Sequence, residues 1–266
     1  MSHRARKRFG QNFLHDPGVI GRIVQAIAPS KQDHLVEIGP GQGAITDLLL
    51  PRVGRLDAVE LDRDLVRLLE ERYANQQHFR LHSADALKFD FCPLAEGNEK
   101  LRVVGNLPYN ISTPLLFHLL ENSHCIRDMH FMLQKEVVER MVAGPGGKTY
   151  GRLSVMLQIR CQVRMLFPIG PGAFQPPPKV DSAFVRLTPY PEPLHGVKDM
   201  ETFGRLVTQA FSQRRKTLRN TLKGMVSPDI MLRCGVDPSS RAETLSPEDF
   251  ACLANATGQA RPVPAF

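Results

Sequence analysis

The chain has 266 residues, and its 34 Lys and Arg side chains exceed its 27 Asp and Glu side chains to give a formal net charge of +7. Apolar residues make up 42 % of the chain, an ordinary share for a globular protein. No run approaches the roughly 18 apolar residues of a membrane span, and no apolar stretch follows the basic N-terminus as in a secretory signal. We therefore expect no membrane partner and a cytoplasmic location.

Five cysteines are scattered along the chain without a C-x-x-C pair, at Cys92, Cys125, Cys161, Cys234 and Cys252. This spacing argues against a zinc ribbon and against a disulfide framework, and it favours a reducing compartment. The nine histidines form no spacing typical of metal ligands. The sequence thus predicts neither a disulfide nor a metal site.

The positive charge is concentrated in two segments. Residues 1–30 carry five Lys or Arg against one acidic side chain, and residues 201–225 carry six against one. The rest of the chain has a net charge of −2, so these segments hold the whole excess. Two basic clusters in a nearly neutral chain favour an extended anionic partner.

The first half of the chain alternates between helical and strand patterns. Asp16 followed by Pro17 is typical of a helix start, and a first helix is expected over residues 16–28. We predict strands over residues 34–38, 55–60, 78–82, 101–105 and 129–133, with helices over residues 44–50, 62–73, 112–120 and 137–142. This alternation implies an α/β fold with a parallel sheet covered on both faces.

The pattern changes after about residue 151. Two more strands are expected over residues 161–167 and 182–187, on either side of a proline-rich segment. After a short linker, we predict helices over residues 203–211 and 214–225 and a last helix that begins at Ser246 and Pro247. The sequence therefore predicts an α/β domain over residues 1–190 and a small all-α domain over residues 191–266.

A glycine-rich turn follows the first predicted strand, where residues 37–43 read E-I-G-P-G-Q-G. Glycines allow a tight turn close to a ligand, and Glu60 at the end of the next strand can accept both hydroxyls of a ribose. The G-x-G-x-G spacing differs from the dinucleotide pattern G-x-G-x-x-G, which weakens the case for NAD without excluding it. The acidic Glu37 suits a cofactor with a positive centre, such as S-adenosylmethionine.

Asp85 closes the third predicted strand and is a candidate for binding the adenine of such a cofactor. Its carboxylate can accept a hydrogen bond from the adenine amino group, while the Ala86 amide meets a ring nitrogen. Taken alone, Asp85 fits a turn or a helix cap better, so this role depends on the other motifs.

The fourth predicted strand ends in Asn106, Leu107, Pro108 and Tyr109. An adenine amino group is a poor nucleophile because its lone pair is delocalised into the ring. The side-chain oxygen of Asn106 and the carbonyl of Leu107 can accept hydrogen bonds from the two N–H groups of this amine. These contacts favour a more tetrahedral nitrogen. Pro108 fixes the backbone direction, and Tyr109 offers a flat face for the base. The tetrapeptide therefore predicts methyl transfer to an adenine amino group.

Together these motifs resemble the ribosomal RNA adenine N6,N6-dimethyltransferases, most closely the bacterial enzymes that act on small-subunit (16S) ribosomal RNA. The resemblance covers nearly the full chain. It depends on residues 8–14, 37–43, 106–109, 171–182 and 211–216, with Glu60 and Asp85. It implies a Rossmann-like S-adenosylmethionine-dependent methyltransferase sheet with a small C-terminal helical domain.

The resemblance also implies roles for individual residues. Cofactor contacts are implied for Gln11, Asn12, Leu14, Gly39, Gly41, Glu60, Asp85, Ala86 and Asn106. The flipped target base is implied to lie against Asn106, Leu107, Pro108 and Tyr109, with Phe174 as a second aromatic wall. The implied product is a pair of adjacent N6,N6-dimethyladenosines in a hairpin near the 3′ end of 16S ribosomal RNA, formed during small-subunit biogenesis.

The basic segments become candidate RNA contacts, with the helical domain docking on the ribosome. The candidates are Arg4, Arg6, Lys7 and Arg8 near the start, and Arg214, Arg215, Lys216 and Arg219 within two turns of the predicted helix over residues 214–225. The expected partner is 16S ribosomal RNA within the small subunit, bound by a monomer.

Three other functions stay open at this point. A dimethyltransferase of large-subunit RNA shares the catalytic motifs, although residues 211–216 favour the small-subunit type. An assembly factor would bind immature subunits with methylation as a secondary property. A nicotinamide-dependent dehydrogenase would bind NAD in place of S-adenosylmethionine.

Overall fold

The computed structural model describes residues 11–97 and 99–258 and consists of two compact units. The first unit runs to Val138 and resumes over Arg164–Pro189. The second takes Glu139–Val163 and the chain from Tyr190 onward. The predicted RNA contacts Arg4, Arg6, Lys7 and Arg8 lie outside the described residues.

A seven-stranded sheet dominates the α/β part of the chain. The described strands are β1 (Phe13–Leu14), β2 (His34–Ile38), β3 (Arg55–Glu60), β4 (Phe79–Ser83), β5 (Leu101–Asn106), β6 (Ile126–Gln134), β7 (Cys161–Ile169), β8 (Phe174–Gln175) and β9 (Ser182–Pro189). The sheet order is β4-β3-β2-β5-β6-β9-β7. The pairs from β4 to β6 are parallel and β9 is antiparallel to β6, so the predicted α/β fold with a parallel sheet is confirmed and gains an antiparallel addition.

Five helices accompany these strands: α1 (Pro17–Ile27), α2 (Thr46–Leu49), α3 (Arg63–Tyr73), α4 (Ser112–Glu121) and α5 (Lys135–Val142). Of these, α2, α3 and α4 connect parallel strands, whereas α1 precedes β2 and α5 follows β6. The predicted starts of α1 and α3 are confirmed. The Asp16 side chain accepts a hydrogen bond from the Val19 amide at 2.9 Å, and the Asp62 side chain accepts one from the Asp64 amide at 3.1 Å. The predicted helix over residues 44–50 is shorter, because the chain passes into a 3₁₀ turn over Leu50–Arg52.

The strand order reverses between β2 and β5, where ligands bind in open α/β sheets. All five residues of β2 are buried, as a central parallel strand requires. Gly105 of β5 lies opposite Ile38 of β2, and a Cβ atom on Gly105 would lie 2.5 Å from the Ile38 carbonyl oxygen. This close approach brings the residues that follow, Gly39 and Asn106, to the same edge of the sheet.

A second, two-stranded sheet pairs β1 with β8, with Leu14 opposite Phe174. The His15 amide extends this contact by donating to the Ala173 carbonyl at 3.0 Å. Strands of two residues carry no readable periodicity, so the sequence did not predict them. The pairing fixes residues 13–15 against the proline-rich segment that follows β7.

The second unit is mainly helical, with α6 (Arg152–Gln158), α7 (Met200–Ala210), α8 (Leu218–Thr221), α9 (Pro228–Arg233) and α10 (Pro247–Gly258). The sequence analysis assigned residues 139–163 to the α/β domain, whereas here they group with the second unit. The reason is α6, which the sequence analysis missed and which approaches α7 so closely that a Cβ on Gly204 would lie 3.4 Å from Met156. No helix in the described part of the chain has the length and apolar character needed to cross a bilayer.

The predicted helix over residues 214–225 was wrong. Residues 211–216 form turns and bends, and α8 covers only Leu218–Thr221. The Leu218 amide donates to the Ser240 carbonyl at 2.8 Å and the Arg219 amide donates to the Pro238 carbonyl at 2.9 Å, so neither amide is available to continue a helix backwards. The basic residues 214–216 therefore precede α8 instead of sharing one helix with Arg219.

Two disulfides contradict the prediction that the cysteines are unpaired. They join Cys92 to Cys125 and Cys234 to Cys252, with Cα–Cα separations of 5.5 and 5.8 Å. The partners are 33 and 18 residues apart in sequence, so only the tertiary fold brings them together. Cys161 is a buried free thiol.

Replacing Gly105 with Ala tests the close approach of β2 and β5. The added methyl group would meet the Ile38 carbonyl oxygen, so the strands would have to separate. We expect the free energy of unfolding in urea to fall by about 1–3 kcal/mol. Gly144→Ala is the matched control because a Cβ there meets nothing within 4 Å. Equal stability of the two variants would contradict the constraint.

Candidate active site

A cavity of about 260 Å³ lies where β2, β3 and β5 end. Its wall is formed by Gln11, Asn12, Phe13, Ile38, Gly39, Gly41, Val59, Glu60, Leu61, Asp62, Leu65, Ala84, Asp85, Ala86, Leu87, Asn106, Leu107, Pro108, Tyr109, Asn110 and Ile111. The structure thus brings the predicted cofactor and target motifs to one site. Of the residues predicted to bind cofactor or base, Leu14 and Phe174 lie off this wall.

Glu60 is fixed at the end of β3 by backbone amides. Its Oε1 atom accepts hydrogen bonds from the Leu61 and Asp62 amides, both at 2.9 Å, and the Gly41 amide is a further donor. Burial raises the pKa of Glu60 despite these donors. These amides hold the Glu60 carboxylate in place at the cavity wall, where it can accept hydrogen bonds from the hydroxyl groups of a ligand.

The glycines of the 37–43 turn adopt backbone conformations that suit glycine. Gly39 has φ 65° and Gly41 has φ 60°, both in the left-handed region. A Cβ on Gly41 would also lie 3.1 Å from the Phe13 ring. The turn therefore leaves its backbone open to the cavity and makes room for the ring above it.

Glu37 lies behind this turn, almost fully buried, and accepts a hydrogen bond from the Thr46 hydroxyl at 2.7 Å. Burial raises its pKa to about 7, and the carboxylates of Asp47 and Glu60 add to the rise while the Thr46 hydroxyl opposes it. Glu37 lines a small cavity of about 30 Å³ beside the main one, together with Leu14. It is thus a carboxyl group that a nearby positive charge can ionise.

Residues 11–14, here called the strap, are tied to both halves of the site. The Gln11 side chain donates from Nε2 to Oδ2 of Asp62 at 3.1 Å. The Asn106 side chain donates from Nδ2 to the carbonyl oxygen of Asn12 at 2.8 Å. A carbonyl oxygen only accepts hydrogen bonds, so this contact fixes which way the Asn106 amide faces. Its Oδ1 atom has no hydrogen-bond partner among the described residues and remains an available acceptor.

The loop after Asn106 is held by its own hydrogen bonds. The Leu107 amide donates to the Met132 carbonyl at 3.3 Å, and the Ser112 hydroxyl donates to the Tyr109 carbonyl at 3.1 Å. The Tyr109 hydroxyl lies 2.6 Å from Oγ of Ser182. Burial raises the pKa of Tyr109. The aromatic ring at the cavity wall is therefore anchored at its far end.

Asp85 forms a turn and also lies on the cavity wall. Its Oδ1 atom accepts a hydrogen bond from the Leu87 amide at 3.0 Å, which stabilises a turn after β4. Asp85 and Ala86 also lie on the cavity wall. A turn-forming carboxylate can thus present its other oxygen to a ligand.

Phe174 does not line the cavity. Its side chain is 1 % exposed and belongs to a core cluster with Leu14, Ile20 and Phe184. The reason is its position in β8, where pairing with β1 turns the residue into the apolar interior. A stacking role for Phe174 remains a prediction, and it requires the ring to leave this cluster.

Several residues of the cavity wall were not predicted. Phe13, Leu61 and Asp62 are the principal ones. Leu61 and Asp62 directly follow Glu60, and that adjacency was a usable signal. Phe13 lies within the predicted Gln11–Leu14 segment, but only the folded strap shows that its ring faces Gly41.

The basic residues near the C-terminal end that are predicted to bind RNA lie in the second unit and differ in their contacts. Arg214 pairs with Glu243 at 2.8 Å and also donates to the Lys148 carbonyl. Arg215, Lys216 and Arg219 are exposed and form no ion pair with another described residue. These three carry the uncompensated charge.

The cavity suits S-adenosylmethionine better than a dinucleotide. Its charged wall residues are Glu60, Asp62 and Asp85, and none of the described residues on the wall is basic. A pyrophosphate would meet only negative charge there, whereas a cationic cofactor is attracted. The doubly wound sheet and this cavity define an S-adenosylmethionine-dependent methyltransferase.

Comparison with known sequences places the chain more closely. A sequence profile described as ribosomal RNA adenine dimethylase matches residues 2–259. The chain therefore belongs to the ribosomal RNA adenine dimethylase family.

Similar proteins agree with this assignment. Ribosomal RNA small subunit methyltransferase A of Pseudomonas syringae pv. tomato is 61 % identical over 253 residues, covering 95 % of this chain and 94 % of the relative. The protein of the same name from Nitrosococcus oceani is 58 % identical and covers 95 % of this chain and 96 % of the relative.

Solved structures show the same fold. A dimethyladenosine transferase from Plasmodium falciparum superposes with a TM-score of 0.80 at 26 % identity, covering 92 % of this chain and 98 % of that chain. The 23S rRNA methyltransferase ErmE superposes with a TM-score of 0.73 at 24 % identity, covering 93 % of this chain and 100 % of that chain. The likeness to ErmE shows the fold alone.

Glu37 predicts a pH-dependent affinity for S-adenosylmethionine. Below pH 7 its carboxyl group is neutral in the free protein, so binding a cation must first release a proton; above pH 7 the carboxylate is already present. We expect the Kd measured by calorimetry to rise roughly three- to tenfold from pH 8 to pH 6. Glu37→Gln keeps an acceptor for Thr46 and should flatten the profile. An equally steep profile in that variant would exclude this role.

Proposed function

We propose that the protein transfers methyl groups from S-adenosylmethionine to N6 of two adjacent adenosines in a hairpin near the 3′ end of 16S ribosomal RNA. The product is a pair of N6,N6-dimethyladenosines in the small ribosomal subunit. The observation that carries this proposal is the hydrogen bond from Asn106 to the Asn12 carbonyl, which leaves an amide oxygen available at the cavity wall.

The chain's contribution to the chemistry is to make the target nitrogen nucleophilic. Oδ1 of Asn106 accepts a hydrogen bond from one N–H group of the amine, and the Leu107 carbonyl oxygen accepts a hydrogen bond from the other. Acceptors on these bonds favour a tetrahedral nitrogen and localise its lone pair, and their dipoles stabilise the positive charge that develops there. No side chain needs to act as a strong base, because the methylated amine loses its extra proton readily.

S-adenosylmethionine supplies an electrophilic methyl group when it is bound. Glu60 accepts its ribose hydroxyls, and Asp85 and Ala86 meet its adenine. The strap closes this half of the cavity, because Gln11 is tied to Asp62 and Asn12 is tied to Asn106. The same strap thus joins the groups that bind the cofactor to the group that orients the target amine.

Tyr109 provides the surface for the flipped base. Its hydroxyl is anchored to Ser182, so the ring loses little further freedom when a base stacks on it. The base must first leave its RNA stack, and stacking on an aromatic ring offsets part of that cost.

The second methyl transfer places a different demand on the site. A monomethylated amine has only one N–H bond, so only one acceptor can be used. Asn106 Oδ1 and the Leu107 carbonyl act as separate acceptors, and loss of one contact leaves the other in place. A site of this kind accepts both the first and the second substrate.

The small-subunit partner is supported by the names of the relatives, which act on the small-subunit RNA by their printed description. Arg215, Lys216 and Arg219 offer exposed positive charge for its phosphates. Arg4, Arg6, Lys7 and Arg8 add to it at the other end of the chain. The protein acts as a monomer in the cytoplasm, where ribosomal subunits are assembled, and contributes to subunit biogenesis.

Methyl transfer to purified subunits tests the proposal directly. Labelled S-adenosylmethionine is incubated with unmodified small and large subunits, and the RNA is digested to nucleosides. We expect N6,N6-dimethyladenosine from the small subunit alone. Label only in the large subunit, or no dimethyladenosine, would refute the proposed substrate.

Asn106→Ala tests the role of the amide oxygen. We expect kcat to fall roughly 10²- to 10³-fold, since one of two oriented dipoles at the reacting nitrogen is lost. Cofactor affinity, measured by calorimetry, should fall much less, because the strap remains tied to Asp62 through Gln11. Asn75→Ala, an exposed asparagine after α3, is the control and should retain full activity. A kcat within a factor of three of wild type would remove Asn106 from the mechanism.

Charge reversal tests the second unit as an RNA contact. We expect Arg215→Glu with Lys216→Glu to weaken small-subunit binding and to lower the slope of log K against log salt by about 1 for each lost phosphate contact. Lys198→Glu with Arg233→Glu reverses two other exposed charges of the same unit and serves as the control. The same salt slope in both double variants would show that the 214–219 region does not bind phosphate.

A further inference from the structure

Cys92, His124 and Cys125 form a group of metal-binding side chains outside the methyltransferase site. Their ligand atoms all lie within 4.8 Å of one another, and no other such group of three or more His, Cys, Asp or Glu was found among the described residues. The Cys92 sulfur lies 3.3 Å from Nε2 of His124. None of the three residues lines the cofactor cavity.

The backbone around these side chains is also held by contacts other than the bond between the two sulfurs. Cys92 begins a 3₁₀ turn over Cys92–Leu94, and Cys125 ends another over Ser123–Cys125. The Cys125 amide donates to the Asn122 carbonyl at 3.2 Å, and the Asn122 side chain donates to the His118 carbonyl at 3.0 Å. His118 Nε2 also lies 2.8 Å from the Phe89 carbonyl oxygen, so a contact other than the disulfide joins α4 to the segment that precedes Cys92.

We infer that the reduced protein binds a zinc ion through Cys92, Cys125 and His124. A small dithiol reduces the disulfide by supplying two electrons and two protons, and it becomes a disulfide itself. Zn²⁺ then displaces the two thiol protons and is bound by two thiolates and the neutral imidazole. The two negative charges balance the charge of the ion, so the group is neutral overall.

The distances agree with tetrahedral zinc. With Zn–S bonds of about 2.3 Å and Zn–N bonds of about 2.0–2.1 Å, a sulfur and a nitrogen ligand lie roughly 3.5 Å apart, and two sulfurs lie roughly 3.8 Å apart. The 3.3 Å between the Cys92 sulfur and Nε2 of His124 is already close to this sulfur–nitrogen distance. Once the disulfide is reduced, rotation of the two cysteine side chains lets the sulfurs move apart to the separation of two zinc ligands.

The surroundings allow the ion to enter and leave one position open. His124 is exposed, Cys92 is partly exposed and Cys125 is buried. The Asn122 carbonyl oxygen lies 3.1 Å from the Cys125 sulfur and 3.7 Å from the Cys92 sulfur. That oxygen or a water molecule can complete the coordination.

Replacement of the disulfide by zinc on reduction would preserve a crosslink in both redox states. Cys92 lies in the connection between β4 and β5, and Cys125 follows α4, the helix that begins just after the Tyr109 loop. The disulfide joins these two segments in the oxidised protein, and zinc joins them in the reduced protein. The crosslinked helix is the one that supports the target-binding loop.

Metal titration of the full chain tests the inference. Protein is reduced with a dithiol, stripped of metal, freed of both reagents under nitrogen and titrated with Zn²⁺ against a chromogenic chelator. We expect one tightly bound equivalent in reduced wild type and none in the oxidised protein. Co²⁺ in place of Zn²⁺ should give the charge-transfer absorption of thiolate ligands. Equal zinc binding by the oxidised and reduced proteins would overturn the site.

Variants identify the ligands. We expect Cys92→Ser and His124→Ala each to weaken zinc binding at least tenfold. Cys234→Ser removes the other disulfide, which belongs to no such group among the described residues, and should bind zinc like wild type. Wild-type affinity in His124→Ala, or an equal loss in Cys234→Ser, would contradict the assignment.

Alkylation gives a readout that needs no substitution. In reduced wild type, zinc should protect Cys92 and Cys125 from iodoacetamide, as measured by mass spectrometry of peptides. Cys234 and Cys252 should react equally with and without zinc. Protection of neither pair, or of both pairs, would count against the site.

Discussion

The close approach of β2 and β5 is the constraint on which the rest of the site depends. At Gly105 the two backbones leave no room for a side chain between them, since a Cβ would lie 2.5 Å from the Ile38 carbonyl oxygen. The next residue of each strand segment, Gly39 in one case and Asn106 in the other, must therefore emerge at adjacent points. In the proposed mechanism, Gly39 serves the cofactor and Asn106 serves the target amine. The parallel register would then set the distance over which the methyl group passes.

The strap converts this adjacency into an oriented site. Asn106 alone could turn either end of its amide toward the cavity, and in the proposed mechanism only the acceptor orientation helps the reaction. The Asn12 carbonyl removes that choice by binding the amide nitrogen. The same segment reaches Asp62 through Gln11, beside the clamped Glu60. Placement of the strap and orientation of the Asn106 amide are consequently one structural event, which also depends on the pairing of β1 with β8.

The sequence predicted those parts of the molecule that local chemistry determines. The bounds of β2 and β3 and the Asp16 and Asp62 caps follow from apolar runs and capping residues, and the structure confirms them. The motifs at the strand ends meet in one cavity because parallel strands end at the same edge. What the sequence missed depends on contacts between distant segments: the β1–β8 pair, the two disulfides, and the early start expected for the helix near residue 218. Phe174 is a different case: composition alone favours a core residue, as the structure shows, and only the family resemblance implies a place at the site.

The charge distribution follows from two incompatible requirements. A cationic cofactor is favoured by the carboxylates of Glu60, Asp62 and Asp85, with Glu37 behind them, and the described wall carries no basic residue to offset them. The same carboxylates repel RNA phosphates, so the cavity cannot attract its own substrate backbone. Attraction must then come from outside the cavity, and the excess of Lys and Arg is indeed confined to residues 1–30 and 201–225. Separating the two kinds of charge along the chain lets an acidic site act on a polyanion, because only the neutral base has to enter it.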